Sequence, residues 1–195
     1  GTLIFGASAS GDSTYVGNCT LTKNDTSAVR QGVGIYFFSS NTSTFNKVVG
    51  CTINEFNNYG IRVQGAPSTN NLIKGNTIEH INPSTVTSVY GIYISRQPGL
   101  VIEENYIKNL RSTAASPTLT AIYYLGSSGN PVDIYVRNNV ISLSAEFNSP
   151  AGTLRGIDYY AFAANSAEIY FNTIYIAGTD VTGGTTTGLS KRDAA

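Results

Sequence analysis

Residues 91–107 read Gly91-Ile92-Tyr93-Ile94-Ser95-Arg96-Gln97-Pro98-Gly99-Leu100-Val101-Ile102-Glu103-Glu104-Asn105-Tyr106-Ile107. Two short patterns lie in this stretch. The first is a small residue, Ile, any residue, then an apolar or aromatic one. It recurs as Gly34-Ile35-Tyr36-Phe37, Gly60-Ile61-Arg62-Val63, Ala121-Ile122-Tyr123-Tyr124 and Gly156-Ile157-Asp158-Tyr159, with a last partial copy at Gly188-Leu189. The steps between its central apolar residues are 26, 31, 30, 35 and 32 residues. The second pattern is apolar, two residues, Asn, any residue, Ile. It ends in Asn76-Thr77-Ile78, Asn105-Tyr106-Ile107, Asn139-Val140-Ile141 and Asn172-Thr173-Ile174. Cys19 and Cys51 take the Asn place in the two earliest units.

Each unit therefore holds two or three short strands of period-2 alternation joined by turns. No segment carries a sustained 3.6-residue apolar stripe. A unit of about 30 residues cannot bury its apolar face alone, so units must stack. Ile above Ile fills the interior of such a stack. The recurrent Asn suits a tight turn, since it tolerates the left-handed region and its amide can bond to the next coil. Six coils at the usual strand spacing make a column roughly 29 Å long. The expected fold class is all-β, a parallel solenoid forming one domain over residues 1–195. Its coils open near residues 3, 33, 59, 90, 120 and 155, with a partial coil from 187. A flat sandwich would need Asn-Gly or Asp-Gly hairpins, and neither dipeptide occurs.

These two patterns resemble the right-handed parallel β-helix, the repeat family of carbohydrate-associated secreted and surface proteins with Asn-x-Ile coils. The resemblance runs from about Leu3 to Leu189. It implies the fold. It does not imply one function, because the fold carries lyases, hydrolases, adhesins and passive stalks.

Composition agrees with strands and turns. The chain has 195 residues, among them 22 Thr, 20 Ser, 20 Gly, 19 Asn, 18 Ile and 13 Tyr, with no Trp or Met. Twelve basic residues balance twelve acidic ones. A zero net charge excludes an electrostatic nucleic-acid binder. No apolar run approaches 18 residues, so no membrane-spanning helix is expected. A Lys-poor surface rich in Ser, Thr and Asn points to a secreted or cell-surface protein. The chain starts without Met or a signal-like segment, so a piece processed or excised from something longer is expected. No capping helix is visible at either end, which suggests a fragment of a longer β-helix. Otherwise the open coils of neighbouring chains associate end to end.

Chemistry-bearing residues are sparse. His80 is the one histidine and falls at a turn. There is no Cys-x-x-Cys, no phosphate loop and no Gly-x-Ser-x-Gly elbow, so neither a metal nor a cofactor is expected. Cys19 and Cys51 should lie one above the other. Their separation suits a disulfide, but parallel β-carbons do not favour its torsion. Free buried thiols are expected, with a disulfide as the alternative. The motifs of hydrolases that share the resembled fold (Asn-Thr-Asp, paired Asp, Gly-His-Gly, Arg-Ile-Lys) are absent.

Glu103 and Glu104 stand level with Lys74 and Arg137, which reads as a surface ion-pair ladder. Asp133 and Glu168 fall at strand entries of coils five and six. Asn18, Asn24 and Asn41 open Asn-x-Ser/Thr sequons. Longer connections, rich in Ser, Thr, Ala, Pro and Gly, span 82–89, 111–119, 145–154 and 177–187.

If the central Ile residues point inward, Tyr36, Arg62, Tyr93, Tyr123 and Asp158 form an outward column. Phe38, Gln64, Ser95, Leu125 and Tyr160 form a second one. Aromatic and arginine side chains at strand spacing suit sugar rings or a protein partner. The function read from the sequence is thus a non-enzymatic surface module. It would bind a polysaccharide or a neighbouring protein through this tyrosine-lined face, in an adhesive role. The alternatives are a polysaccharide lyase or glycoside hydrolase working through Asp158, Arg155, Asp133 or Glu168, and a structural stalk or self-assembling fibre unit.

Overall fold

The structure is a computed structural model that describes residues 3–7, 13–22, 31–39, 45–54, 56–80, 84–126, 132–144, 152–162, 165–177 and 184–193. Three strands make a coil. The first coil is β1 (Leu3–Ala7), β2 (Tyr15–Gly17) and β3 (Thr20–Leu21). The second is β4 (Gln31–Ser39), β5 (Lys47–Val49) and β6 (Thr52–Asn54), and the third is β7 (Phe56–Gly65), β8 (Leu72–Lys74) and β9 (Thr77–Glu79). The fourth is β10 (Ser88–Ser95), β11 (Leu100–Glu103) and β12 (Tyr106–Lys108). The fifth is β13 (Thr118–Leu125), β14 (Val132–Arg137) and β15 (Val140–Ser144), and the sixth is β16 (Thr153–Ala161), β17 (Asn165–Tyr170) and β18 (Thr173–Ala177). Strand β19 (Thr185–Asp193) follows.

First strands pair only with first strands, second with second and third with third, always parallel. The result is three sheets, called A, B and C, of seven, six and six strands among the described residues. This is a parallel β-solenoid of six coils plus the opening strand of another, as the repeat predicts.

The interior is a set of apolar rows. Ile35, Ile61, Ile92, Ile122 and Ile157 occupy one register on sheet A, and all are buried. Val48, Ile73, Ile102 and Val136 do the same on sheet B, and Ile53, Ile78, Ile107 and Ile141 on sheet C. Each buried Ile contributes about 2 kcal/mol of transfer free energy, and β-branching suits the pleated wall.

The small residue before each sheet A Ile has a steric cause. A β-carbon on Gly60 would lie 2.6 Å from the Gly91 carbonyl oxygen and 2.7 Å from Ile78 Cγ2. The ladder skips this position, and alternation changes phase across it. Val89 and Ile92, three apart, both point inward. Tyr90 and Tyr93, also three apart, therefore both point outward.

Sheets B and C meet at a corner of fixed length, two residues in every coil. The first corner residue is left-handed each time: Asn18, Gly50, Gly75, Glu104, Asn138 and Phe171 have φ of 51, 66, 64, 58, 56 and 54°. The second is Cys19, Cys51, Asn76, Asn105, Asn139 or Asn172. The repeated Asn is thus not the left-handed residue; its predecessor is. Its amide does bond between coils. Asn105 Oδ1 accepts from the backbone N–H of Asn76 (3.0 Å) and from its Nδ2 (2.9 Å). Asn105 Nδ2 donates to Ile73 O (2.9 Å) and Asn139 Oδ1 (3.0 Å). Asn139 repeats the pattern with Asn172, and Cys51 N–H donates to Asn76 Oδ1 at 2.9 Å.

Cys19 and Cys51 continue this row as free thiols, with their Sγ atoms 2.8 Å apart. Burial and the neighbouring Cys51 push the Cys19 thiol up to about 12. A thiol so far from ionisation is a poor nucleophile.

Sheets A and B meet at a looser corner with a polar ladder of its own. Asn46 N–H donates to Asn71 Oδ1 (3.0 Å), and Asn71 Nδ2 to Gln97 Oε1 (3.1 Å). Gln97 Nε2 closes on Ser95 O at 2.8 Å. At the passage from sheet C to sheet A stands His80. It is buried at its turn rather than on the surface, with its ring 4.2 Å from Phe56 and Nδ1 3.0 Å from Arg111 O. Of the longer connections, 84–89, 111–119, 152–154, 177 and 184–187 are described and belong to the passage from sheet C to sheet A; the other parts, and the sequons at Asn24 and Asn41, lie outside the described residues.

The ion-pair ladder runs up sheet B. Lys74 Nζ reaches Glu103 (2.8 Å) and Glu104 (2.9 Å), and Arg137 Nε reaches Glu103 at 2.8 Å. Arg137 also donates to the Tyr170 hydroxyl at 2.9 Å. The hydrogen bond from Lys74 holds the Glu103 carboxyl below its ordinary value of 4.5, against its partial burial, and the Arg137 bond adds to it.

Three outcomes follow. Asn105→Ala leaves the buried Asn76 N–H without an acceptor and should cost about 2–4 kcal/mol in urea denaturation. Thr173→Ala, exposed on sheet C, should change stability by less than about 0.5 kcal/mol. Because the Glu103 pKa is lowered on folding, its contribution is complete above pH 4.5 and is lost as pH falls through the folded value. Glu103→Gln should therefore flatten the acid side of the stability–pH curve.

Candidate functional site

The outer face of sheet A carries the residues singled out by the sequence. Tyr36 pairs with Arg62, Arg62 with Tyr93, Tyr93 with Tyr123 and Tyr123 with Asp158, so the five do form one row. The first four are half-buried. Asp158 is not open to solvent as the outward position suggests: its exposure is 0%. Arg155 Nη1 reaches its Oδ2 at 3.1 Å. Arg192, one coil on, binds both oxygens, at 2.9 Å from Nε and 2.7 Å from Nη2. A fork of this kind is the strong form of an arginine–carboxylate pair. Asp158 holds two guanidiniums in place and offers no free oxygen edge to a ligand.

In the second row, Phe38 is 45% exposed and Gln64, Leu125 and Tyr160 are half-buried, whereas Ser95 is buried. Its own strand's corner covers it, where Gln97 bonds to its carbonyl.

Alternation alone misses Tyr59 and Tyr90. The phase change at Gly60 and Gly91 brings both onto the outer face beside the expected row. Tyr59 and Tyr90 stack with ring centroids 5.4 Å apart and planes at 9°. Tyr93 and Tyr123 stack at 5.3 Å and 27°. Between these pairs, Tyr93 meets Tyr59 and Tyr90 edge-on at 5.1 and 5.3 Å. The usable signal was the small residue itself, which directly follows each of these tyrosines and resets the alternation there.

Cations frame this four-ring cluster. The Arg62 guanidinium carbon sits 5.0, 4.6 and 5.6 Å from the ring centres of Tyr36, Tyr59 and Tyr93. Arg192 lies 5.9 Å from Tyr123 and 5.2 Å from Tyr160. Cation–ring contacts of this length are favourable, more so when desolvated. Burial, chiefly, raises the phenol pKa of Tyr90, Tyr93 and Tyr123, so these hydroxyls stay neutral donors near neutral pH. Because stacked rings turn their faces to each other, part of each ring face in the two stacked pairs is covered by its neighbour.

The acids proposed for a hydrolase or lyase do not assemble. Asp133 and Glu168 are on sheet B, two register places apart, with Asp133 hydrogen-bonded to the Ser166 hydroxyl. Asp158 and Arg155 are on sheet A. Among the described residues, no three His, Cys, Asp or Glu side chains group where they could hold a metal ion.

The family model described as "Right handed beta helix region" matches residues 4–141, more than half of the chain. The chain belongs to the right-handed β-helix family. Searches of curated proteins and of solved structures found no significant match. Within this β-helix, the sheet A face is where aromatic and cationic side chains converge.

Asp158→Asn should lower stability by about 2 kcal/mol in urea denaturation, less than for a fully buried pair because both arginines reach water. Asp158→Glu should recover part of the loss.

Proposed function

We propose that this β-helix is a surface or secreted module that binds a glycan on the outer face of sheet A without cleaving it. The observation that carries the reading is the four-tyrosine cluster with its bordering arginines. Tyr59, Tyr90, Tyr93 and Tyr123 brace one another at 5.1–5.4 Å. Rings fixed before binding lose little conformational freedom on contact, which favours affinity. Their edges supply apolar surface, and their hydroxyls and the guanidiniums supply hydrogen bonds. A sugar has the same mixture of C–H patches and hydroxyls.

The carboxylates support binding without turnover. Glycoside hydrolysis needs two acids flanking the bond. The one carboxylate of this face among the described residues, Asp158, is held by two arginines. An adhesive role and an extracellular location accord with such a face. A neighbouring protein is the competing occupant, since Tyr and Arg also dominate protein interfaces.

Incubation with a panel of plant, algal and bacterial polysaccharides tests the proposal, with retention and oligosaccharide release read together. Retention without release is expected. The double variant Tyr93→Ala/Tyr123→Ala should reduce retention at least tenfold while the far-ultraviolet dichroism stays that of a folded β protein. Release of oligosaccharides would overturn the non-catalytic reading. Unchanged retention in the double variant would remove the platform from the site.

A further inference from the structure

The platform does not end at the tyrosines. Next to it a half-open groove of about 390 Å³ is lined by Phe38, Gln64, Ala66, Pro67, Ser95 and Arg96. Gln64 joins the two regions, because its Oε1 accepts a hydrogen bond from Arg62 Nη2. Arg62 and Arg96 form no ion pair with any described residue. The other two arginines of this face, Arg155 and Arg192, share Asp158. Among the described residues, this end of sheet A therefore carries two guanidiniums outside any ion pair.

The position of Arg96 adds a second argument. It lies at the end of β10 with φ of 59°. One coil back the corresponding residue is Gly65, with φ of 122°, and one coil on it is Gly126. Arg96 and Gly126 make equivalent backbone bonds to the next coil, at 3.0 and 2.8 Å. A β-carbon in the left-handed region is unfavourable, and glycine relieves it. An arginine thus stands in the left-handed region at a corner that a glycine of positive φ fills one coil back, and its side chain borders the groove.

We infer that this groove is an anion subsite, taking a carboxylate or sulfate group carried by the sugar chain that lies on the tyrosine platform. The inference rests on the glycan reading above. Guanidinium groups pair with such planar or tetrahedral oxyanions through two parallel N–H donors.

Matched polymers separate the chemistry from the backbone: dextran, carboxymethyl dextran and dextran sulfate of one length, compared by affinity electrophoresis of the full chain. At least one charged polymer should retard the protein tenfold more strongly than dextran, and which one does so distinguishes a carboxylate from a sulfate subsite. Arg96→Gly should bring that retardation near the dextran level while the melting temperature stays equal or rises. Arg62→Gln should act in the same direction, and Arg137→Gln, on sheet B, should leave it unchanged. Equal retardation by all three polymers, or by none, would overturn the subsite. So would charge selectivity that survives Arg96→Gly, or that falls equally with Arg137→Gln. Selectivity that survives Tyr93→Ala/Tyr123→Ala but not Arg96→Gly would instead remove the platform and leave the anion subsite standing.

Discussion

The amide ladder at the corner between sheets B and C ties each coil to the next, and the rest of the structure depends on it. A buried Asn satisfies the backbone N–H of the preceding coil's corner and a carbonyl of that coil's sheet B strand. Leaving such groups unpaired in a dry interior would cost more than most surface contacts return. With the corner fixed, parallel pairing keeps Ile or Val in register through all three sheets. The same pairing sets the outer rows, so the tyrosine face follows from the interior.

Much of this was legible in the sequence. The Gly-Ile-x-apolar and Asn-x-Ile repeats carried the fold, and their alignment gave the true register of Tyr36, Arg62, Tyr93, Tyr123 and Asp158. What period-2 reasoning could not reach was the set of residues governed by departures from it. Tyr59 and Tyr90 fall on the platform because each strand changes phase at a small residue. Asp158 is buried because Arg192, 34 residues away in sequence, folds back over it. Ser95 is covered by a corner that no repeat announces. His80 sits inside because Phe56 leaves a ring-sized neighbour for it.

Charge is used sparingly and mostly between coils. Glu103 joins Lys74 below to Arg137 above, and Asp158 joins Arg155 to Arg192 in the following coil. Such pairs add modest stability where solvent reaches them. Their larger effect is to hold long side chains in one rotamer. On sheet A that leaves Arg192 lying against Tyr123 and Tyr160, so a buried carboxylate shapes a surface it never touches.

The two-residue corner between sheets B and C also divides the chain into what can change length and what cannot. The repeat steps range from 26 to 35 residues, yet every one of these corners is two residues long, the first in the left-handed region. All the variation is taken up in the other two passages of each coil. Coils are accordingly interchangeable cassettes with one reference point. An insertion between sheets A and B, or between C and A, decorates the rim and leaves the ladder intact. A single residue added at the B–C corner would put the following strand out of phase and turn its apolar side outward.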